Sequence, residues 1–137
     1  MSEGELEHGQ LFFAHETPRE SQRRMIDDGI ETLKEGGFLL AAAPTGIGKT
    51  AAALASSLTV ANHYSFGKEI PKILFLTGRQ SQHRIVVDTI REINNRIPQG
   101  FSKIKLVDII GRRSMCKNVD SKGRCDCEQG VTEAERR

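Results

Sequence analysis

Lys49 and Thr50 stand side by side at the end of a glycine-bearing run, Ala43-Pro44-Thr45-Gly46-Ile47-Gly48. An ammonium and a hydroxyl delivered by a turn of this kind can hold a nucleoside triphosphate. Lys49 would reach the β- and γ-phosphates, and the Thr50 hydroxyl would ligate Mg²⁺. Gly46 and Gly48 would let the backbone curl until successive N–H groups point at one anion. A helix beginning near Lys49 would add the positive end of its dipole. The general phosphate-loop pattern has Gly, four residues, then Gly-Lys-Ser/Thr; in this chain its first position is Ala43.

Two further groups carry chemistry. Thr77-Gly78-Arg79-Gln80-Ser81-Gln82 offers hydroxyl, amide and guanidinium donors, which suit the phosphate oxygens of a nucleic-acid backbone. An ordinary polar turn has the same composition. Cys116, Cys125 and Cys127 gather in a tail rich in Lys and Arg. Thiolates so placed are a soft-metal site, with zinc the rival of iron–sulfur, or else three unpaired surface thiols. The histidines, His8, His15, His63 and His83, have no ligand spacing and read as structural or solvated.

These groups need elements to position them. Thr17 is the expected N-cap of a first helix, with Pro18 at its first position and Glu20 completing a capping box. Met25, Ile26, Ile30 and Leu33 continue the run near helical spacing, and Gly36-Gly37 ends it. The apolar stretch 38–43 is expected to be a strand buried on both faces. An alanine-rich helix is expected over 50–63, and 64–71 is a polar connection. A second strand is expected at 72–77 and a third helix at 81–96, with Ile85, Val86, Ile90 and Ile93 inward. Pro98-Gln99-Gly100 breaks that helix, and 104–110 is the third expected strand. Strand, helix, strand, helix, strand predicts an α/β P-loop NTPase (RecA-like) core, incomplete, with a parallel sheet between helix layers. The group at 77–82 would then lie at a carboxyl strand end, where such sheets bind ligands.

Residues 1–16 read as a flexible lead-in whose Leu11-Phe12-Phe13 could dock on the neighbouring domain. Residues 17–110 form the expected ATP-binding domain, and 111–137 the start of a cysteine-bearing insertion that cannot bury a core of its own. The net charge of +2 is too small to argue for nucleic acid by itself. No apolar run is long enough to span a membrane and the N-terminus lacks a signal-peptide core. No membrane partner is therefore expected, and the cytoplasm is the expected compartment (the nucleus if the source is eukaryotic). Three cysteines, an odd number, do not read as a disulfide scaffold.

Arg19-x-x-Gln22, then Ala43-Pro44-Thr45-Gly46-Ile47-Gly48-Lys49-Thr50, then Thr77-Gly78-Arg79-Gln80-Ser81-Gln82, then Gly111-Arg112-Arg113-Ser114-Met115-Cys116-Lys117-Asn118 occur in that order. The series resembles the N-terminal part of the XPD-like iron–sulfur DNA helicases of superfamily 2, whose phosphate loop also takes alanine at the first position. The resemblance implies that Arg19 and Gln22 sit near adenine, and that residues 43–50 hold ATP and Mg²⁺. It implies that Thr77, Arg79, Ser81 and Gln82 touch single-stranded DNA. It also implies that Cys116, Cys125 and Cys127 ligate a [4Fe–4S] cluster, Zn²⁺ being the alternative. The expected activity is ATP-dependent 5′-to-3′ unwinding in DNA repair by a longer parent chain. The family uses four cysteines where three stand here, and Cys125-x-Cys127 is tighter than its spacing. No Asp-Glu-Ala-His motif is present; Glu133 and Glu135 lie in a polar context. A fragment that needs the rest of the helicase chain is the expectation. The competing readings are a stand-alone nucleotide- or metal-binding regulatory module, and another P-loop NTPase.

Overall fold

The structure is a computed structural model that describes residues 11–63, 71–99 and 102–111. Three helices run in chain order: α1 (Glu20–Glu35), α2 (Lys49–His63) and α3 (Gln80–Arg96). The chain divides into two units, 1–106 and 107–137, and all three helices belong to the first. Of the second, only 107–111 is described, and it is non-helical.

α2 lies at the centre. Its Ala51, Ala52, Leu54, Ala55, Leu58 and Val60 are all buried, so the helix is covered on more than one side. On one side Leu54 and Leu58, one turn apart, pack with Val86, Ile90 and Ile93 of α3 and with Phe12. On the other, Ala51, Ala52 and Ala55 pack with Ile26 and Ile30 of α1 and with Phe13. Adjacent phenylalanines thus enter two different clusters, which is how the segment before α1 docks on the helices, as its composition leads one to expect. The small side chains of α2 permit a close approach. A Cβ on Gly29 of α1 would stand 2.9 Å from the Ser56 Cβ. The two buried hydroxyls of α2 are satisfied within the helix, Ser56 donating to the Ala53 carbonyl at 3.1 Å and Thr59 to the Ala55 carbonyl at 2.7 Å.

α1 begins two residues later than the sequence pattern predicts. Arg19, not Thr17, is the N-cap, and Gln22 rather than Glu20 closes it: Gln22 Oε1 accepts the Arg19 N–H at 2.9 Å. Arginine has no acceptor of its own, so only this half of a capping box can form. The competing register loses because Gln22 is buried whereas Thr17 and Glu20 are exposed. The other end agrees with expectation, with Gly36 left-handed at φ 73° and the Gly37 N–H returning to the Thr32 carbonyl. Ile26 and Ile30 are buried, but Leu33 is 40% exposed. On α3, Val86, Ile90 and Ile93 face inward as expected and Ile85 does not. Ile97 caps α3 at ψ 125°, the non-helical conformation that the adjoining Pro98 imposes.

The expected α/β class is wrong. Among the described residues there is no strand and no sheet, and the architecture is helical. Segments 38–43, 72–77 and 104–110 form neither helix nor strand. Their apolar residues lie largely in solvent: Phe38 and Leu40 are 103% and 99% exposed, and Leu74 and Leu76 are 77% and 80% exposed. A strand is a pairing of two backbones, so composition alone cannot make one. The runs have the residue types of buried strands without the neighbouring ladder. With the sheet go its crossovers and its carboxyl edge. One such segment is instead clipped by a side chain. Asn94 of α3 donates to the Ile104 carbonyl at 3.0 Å and accepts the Ile104 N–H at 2.8 Å, presenting its amide as a second backbone would. No described helix is long and apolar enough to cross a membrane.

Candidate phosphate-binding site

The stretch between segment 38–43 and α2 turns sharply. Gly46 has φ 83° and Gly48 φ 84°, and no other residue type among those described adopts positive φ. Side chains other than glycine's are strained there. At Gly46 only the backbone demands glycine, since a Cβ would meet nothing within 4 Å. At Gly48 a Cβ would also collide with Gln22 Nε2.

α2 starts immediately after this second glycine. The Ala52 N–H closes on the Gly48 carbonyl at 3.1 Å, so Gly48 is the residue at which loop becomes helix. The N–H groups of Lys49, Thr50 and Ala51 then have no acceptor within the helix. No acidic residue occupies the first turn of α2, so no side-chain carboxylate of that turn competes for its positive end. Lys49 folds back over the turn, donating from Nζ to the Ala43 carbonyl at 3.0 Å and to the Pro44 carbonyl at 2.8 Å. An ammonium has three donors; the Pro44 contact is exposed and the Ala43 contact part-buried, and an anion could compete for either. Pro44, Thr45 and Gly46 are exposed, while Ala43, Ile47, Gly48, Lys49 and Thr50 are half-buried. Residues 43–51 thus bring together amides that have no acceptor within the helix, one cation and one hydroxyl.

Arg19 and Gln22 part company. Arg19 is exposed and borders a cavity of about 730 Å³ between α1 and segment 39–44. Gln22 is 5% exposed and lies under the loop, against Gly48. Arg24, Met25 and Asp28 share the cavity wall with Arg19, and the motifs in the sequence give them no role at the site. Their helical spacing with Ser21 (i, i+3, i+4, i+7) places them on one face of α1 and is the signal that could have found them.

Thr77, Arg79, Ser81 and Gln82 sit at the start of α3, not at a strand end. Arg79 is the N-cap, with φ −137° and ψ 135°, and its carbonyl takes the Gln82 N–H at 3.0 Å and the Thr77 hydroxyl at 3.4 Å. Arg79, Ser81 and Gln82 are exposed. α1 and α3 each pack on α2 and not on each other, so the structure brings Gln22 to the loop at Gly48 on the α1 side of α2 and places Gln80, Ser81 and Gln82 on the other helix. Cys116, Cys125 and Cys127 lie outside the described residues, as do Gly111's successors in the resemblance. Among the described residues no group of three His, Cys, Asp or Glu could hold a metal ion. His15 is exposed and meets Phe13 edge-on, with ring centroids 5.6 Å apart.

No model of a known protein family, no curated protein and no solved structure matches this chain.

Proposed function

We propose that residues 43–50 bind the triphosphate of Mg²⁺–ATP, and that the chain is the N-terminal ATP-binding portion of an ATP-dependent 5′-to-3′ DNA helicase with an iron–sulfur cluster, acting in DNA repair. The observation that carries the reading is the pair of left-handed glycines, Gly46 and Gly48, set directly before the α2 N-terminus, with the Lys49 ammonium folded back over the turn. The groups present fit a polyphosphate: the amides and Lys49 supply positive charge, and Thr50 supplies an oxygen for the metal. The helicase assignment and the [4Fe–4S] cluster at Cys116, Cys125 and Cys127 rest on the order of motifs in the sequence. So does a single-stranded DNA contact at Thr77, Arg79, Ser81 and Gln82. In that reading ATP turnover drives movement along DNA only together with the rest of a helicase chain. The 137-residue chain binds nucleotide and does not unwind duplex DNA.

Lys49→Ala tests the core of the proposal. A cation about 4 Å from a phosphate at the protein surface gains roughly 4 kcal/mol. Giving up two carbonyl hydrogen bonds from a charged donor offsets about half of that or more. The net, about 1–2 kcal/mol, is a roughly five- to thirtyfold loss of Mg²⁺–ATP affinity by titration calorimetry. Thermal stability should barely move, because both contacts to be lost are wholly or partly solvent-exposed. A wild-type chain that does not bind Mg²⁺–ATP, or a variant that binds it equally well, would overturn the proposal.

A further inference from the structure

The cofactor residue that the structure treats least like a ligand group is Gln22. We infer that Gln22 is a positioning residue that sets the shape of the phosphate loop from beneath, and not a reader of the nucleotide base. The inference rests on the phosphate-site reading and deepens it.

Three observations converge. Gln22 is 5% exposed, so its amide is nearly shut off from any ligand in solvent. Its Oε1 is already committed to the Arg19 N–H at 2.9 Å, within the first turn of α1. That bond fixes the amide plane and turns Nε2 towards Gly48. Among the described residues, chain neighbours apart, Gln22 alone has atoms within 4 Å of the place a Cβ on Gly48 would take. Gly48 is where the loop becomes α2, since its carbonyl closes the first helical turn with Ala52. A side chain wedged against that residue fixes where the Lys49, Thr50 and Ala51 amides point. Reaching a base would require Gln22 to leave its burial and break the bond that starts α1. Arg19, exposed at the cavity rim, carries no such constraint.

The consequence is a ligand profile. A residue that shapes the loop affects every ligand that uses the loop, whatever base it carries. The experiment measures Mg²⁺–ATP, Mg²⁺–GTP and inorganic tripolyphosphate binding to the full chain by calorimetry, for wild type, Gln22→Ala and Gln22→Glu. The Glu variant keeps the acceptor for the Arg19 N–H and nearly the volume, but it replaces the NH2 that faces Gly48 with a carboxylate oxygen and adds a negative charge that all three anionic ligands meet alike. It therefore guards against a loss caused by unravelling of α1. Misaligning one charge-assisted amide–phosphate bond should weaken binding about ten- to hundredfold, with equal losses for all three ligands. The ATP-to-GTP ratio should stay at its wild-type value, and Gln22→Glu should melt within a few degrees of wild type. A purely structural role would lower the melting temperature and leave tripolyphosphate affinity intact, and that result refutes the inference. A loss confined to ATP, with tripolyphosphate unaffected, would make Gln22 a base reader and refute it too. If the wild-type chain binds none of the three ligands, the phosphate-site reading itself fails and takes this inference with it.

Discussion

Gly29→Ala sets two effects of similar size against each other, and the packing decides between them. Gly29 is buried in the interior of α1. On an exposed helix face the change would stabilise by about 1 kcal/mol, because alanine has less backbone entropy to lose. Here the new Cβ would stand 2.8 Å from Ser56 Oγ and 2.9 Å from Ser56 Cβ, with Leu39 Cδ2 at 3.8 Å. Carbon atoms prefer about 3.5–4.0 Å, so the helices must part by several tenths of an ångström or more at this crossing. That loosens Ile26 and Ile30 from Ala51, Ala52 and Ala55. Overpacking of this kind costs about 1–3 kcal/mol, which leaves a net destabilisation of about 1 kcal/mol. The Ser56 hydroxyl can rotate away from the Ala53 carbonyl, but its Cβ is fixed to the backbone. The double variant with Ser56→Ala should therefore stay impaired. The double variant with Ser56→Gly should recover, giving a coupling energy of about 1–2 kcal/mol between the two positions. Urea unfolding monitored by far-UV circular dichroism reads all of these. Because α1 carries Gln22 and α2 begins at Gly48, the same parting should also weaken tripolyphosphate binding. A single Gly29→Ala variant that gains the full propensity term would refute the close approach of α1 and α2.

Phe13→Ala removes a side chain that is 1% exposed and packed among Ile26, Ile30, Ala52 and Ala55. A loss of about 3–5 kcal/mol in urea unfolding is expected, although Phe13 precedes the first helix. Leu40→Lys tests the correction to the fold: Leu40 is 99% exposed, so stability should change by no more than about 0.5 kcal/mol. A loss of several kcal/mol would mean that segment 38–43 is a buried strand after all.

The helices were legible because each announces itself locally. α2 and α3 begin within one residue of their expected starts, and α1 ends at the glycine pair that marks it. The loop was legible for the same reason: two glycines before Lys-Thr specify a turn, and both glycines do adopt positive φ. The α1 start was misread because Thr17-Pro18 is a strong local signal that a buried glutamine outweighs. The strands were misread because runs such as 72–77 have strand composition, and composition does not supply a partner. Ile85 and Leu33 fit the helical period but stand at the margin of the buried face, where period alone does not fix exposure.

The sequence by itself determined where the chain turns and where its helices lie, because glycine, proline and helical periodicity act over a few residues. It also determined the cation and hydroxyl available at the loop, Lys49 and Thr50. Only the tertiary structure decided that Gln22 lies beneath Gly48, that Phe12 and Phe13 divide between two clusters, and that Gly29 meets Ser56. Those are contacts between residues far apart in the chain, fixed by how α1 and α3 pack on α2. No local pattern carries them, because burial is a property of the whole packed arrangement and not of the residue that is buried.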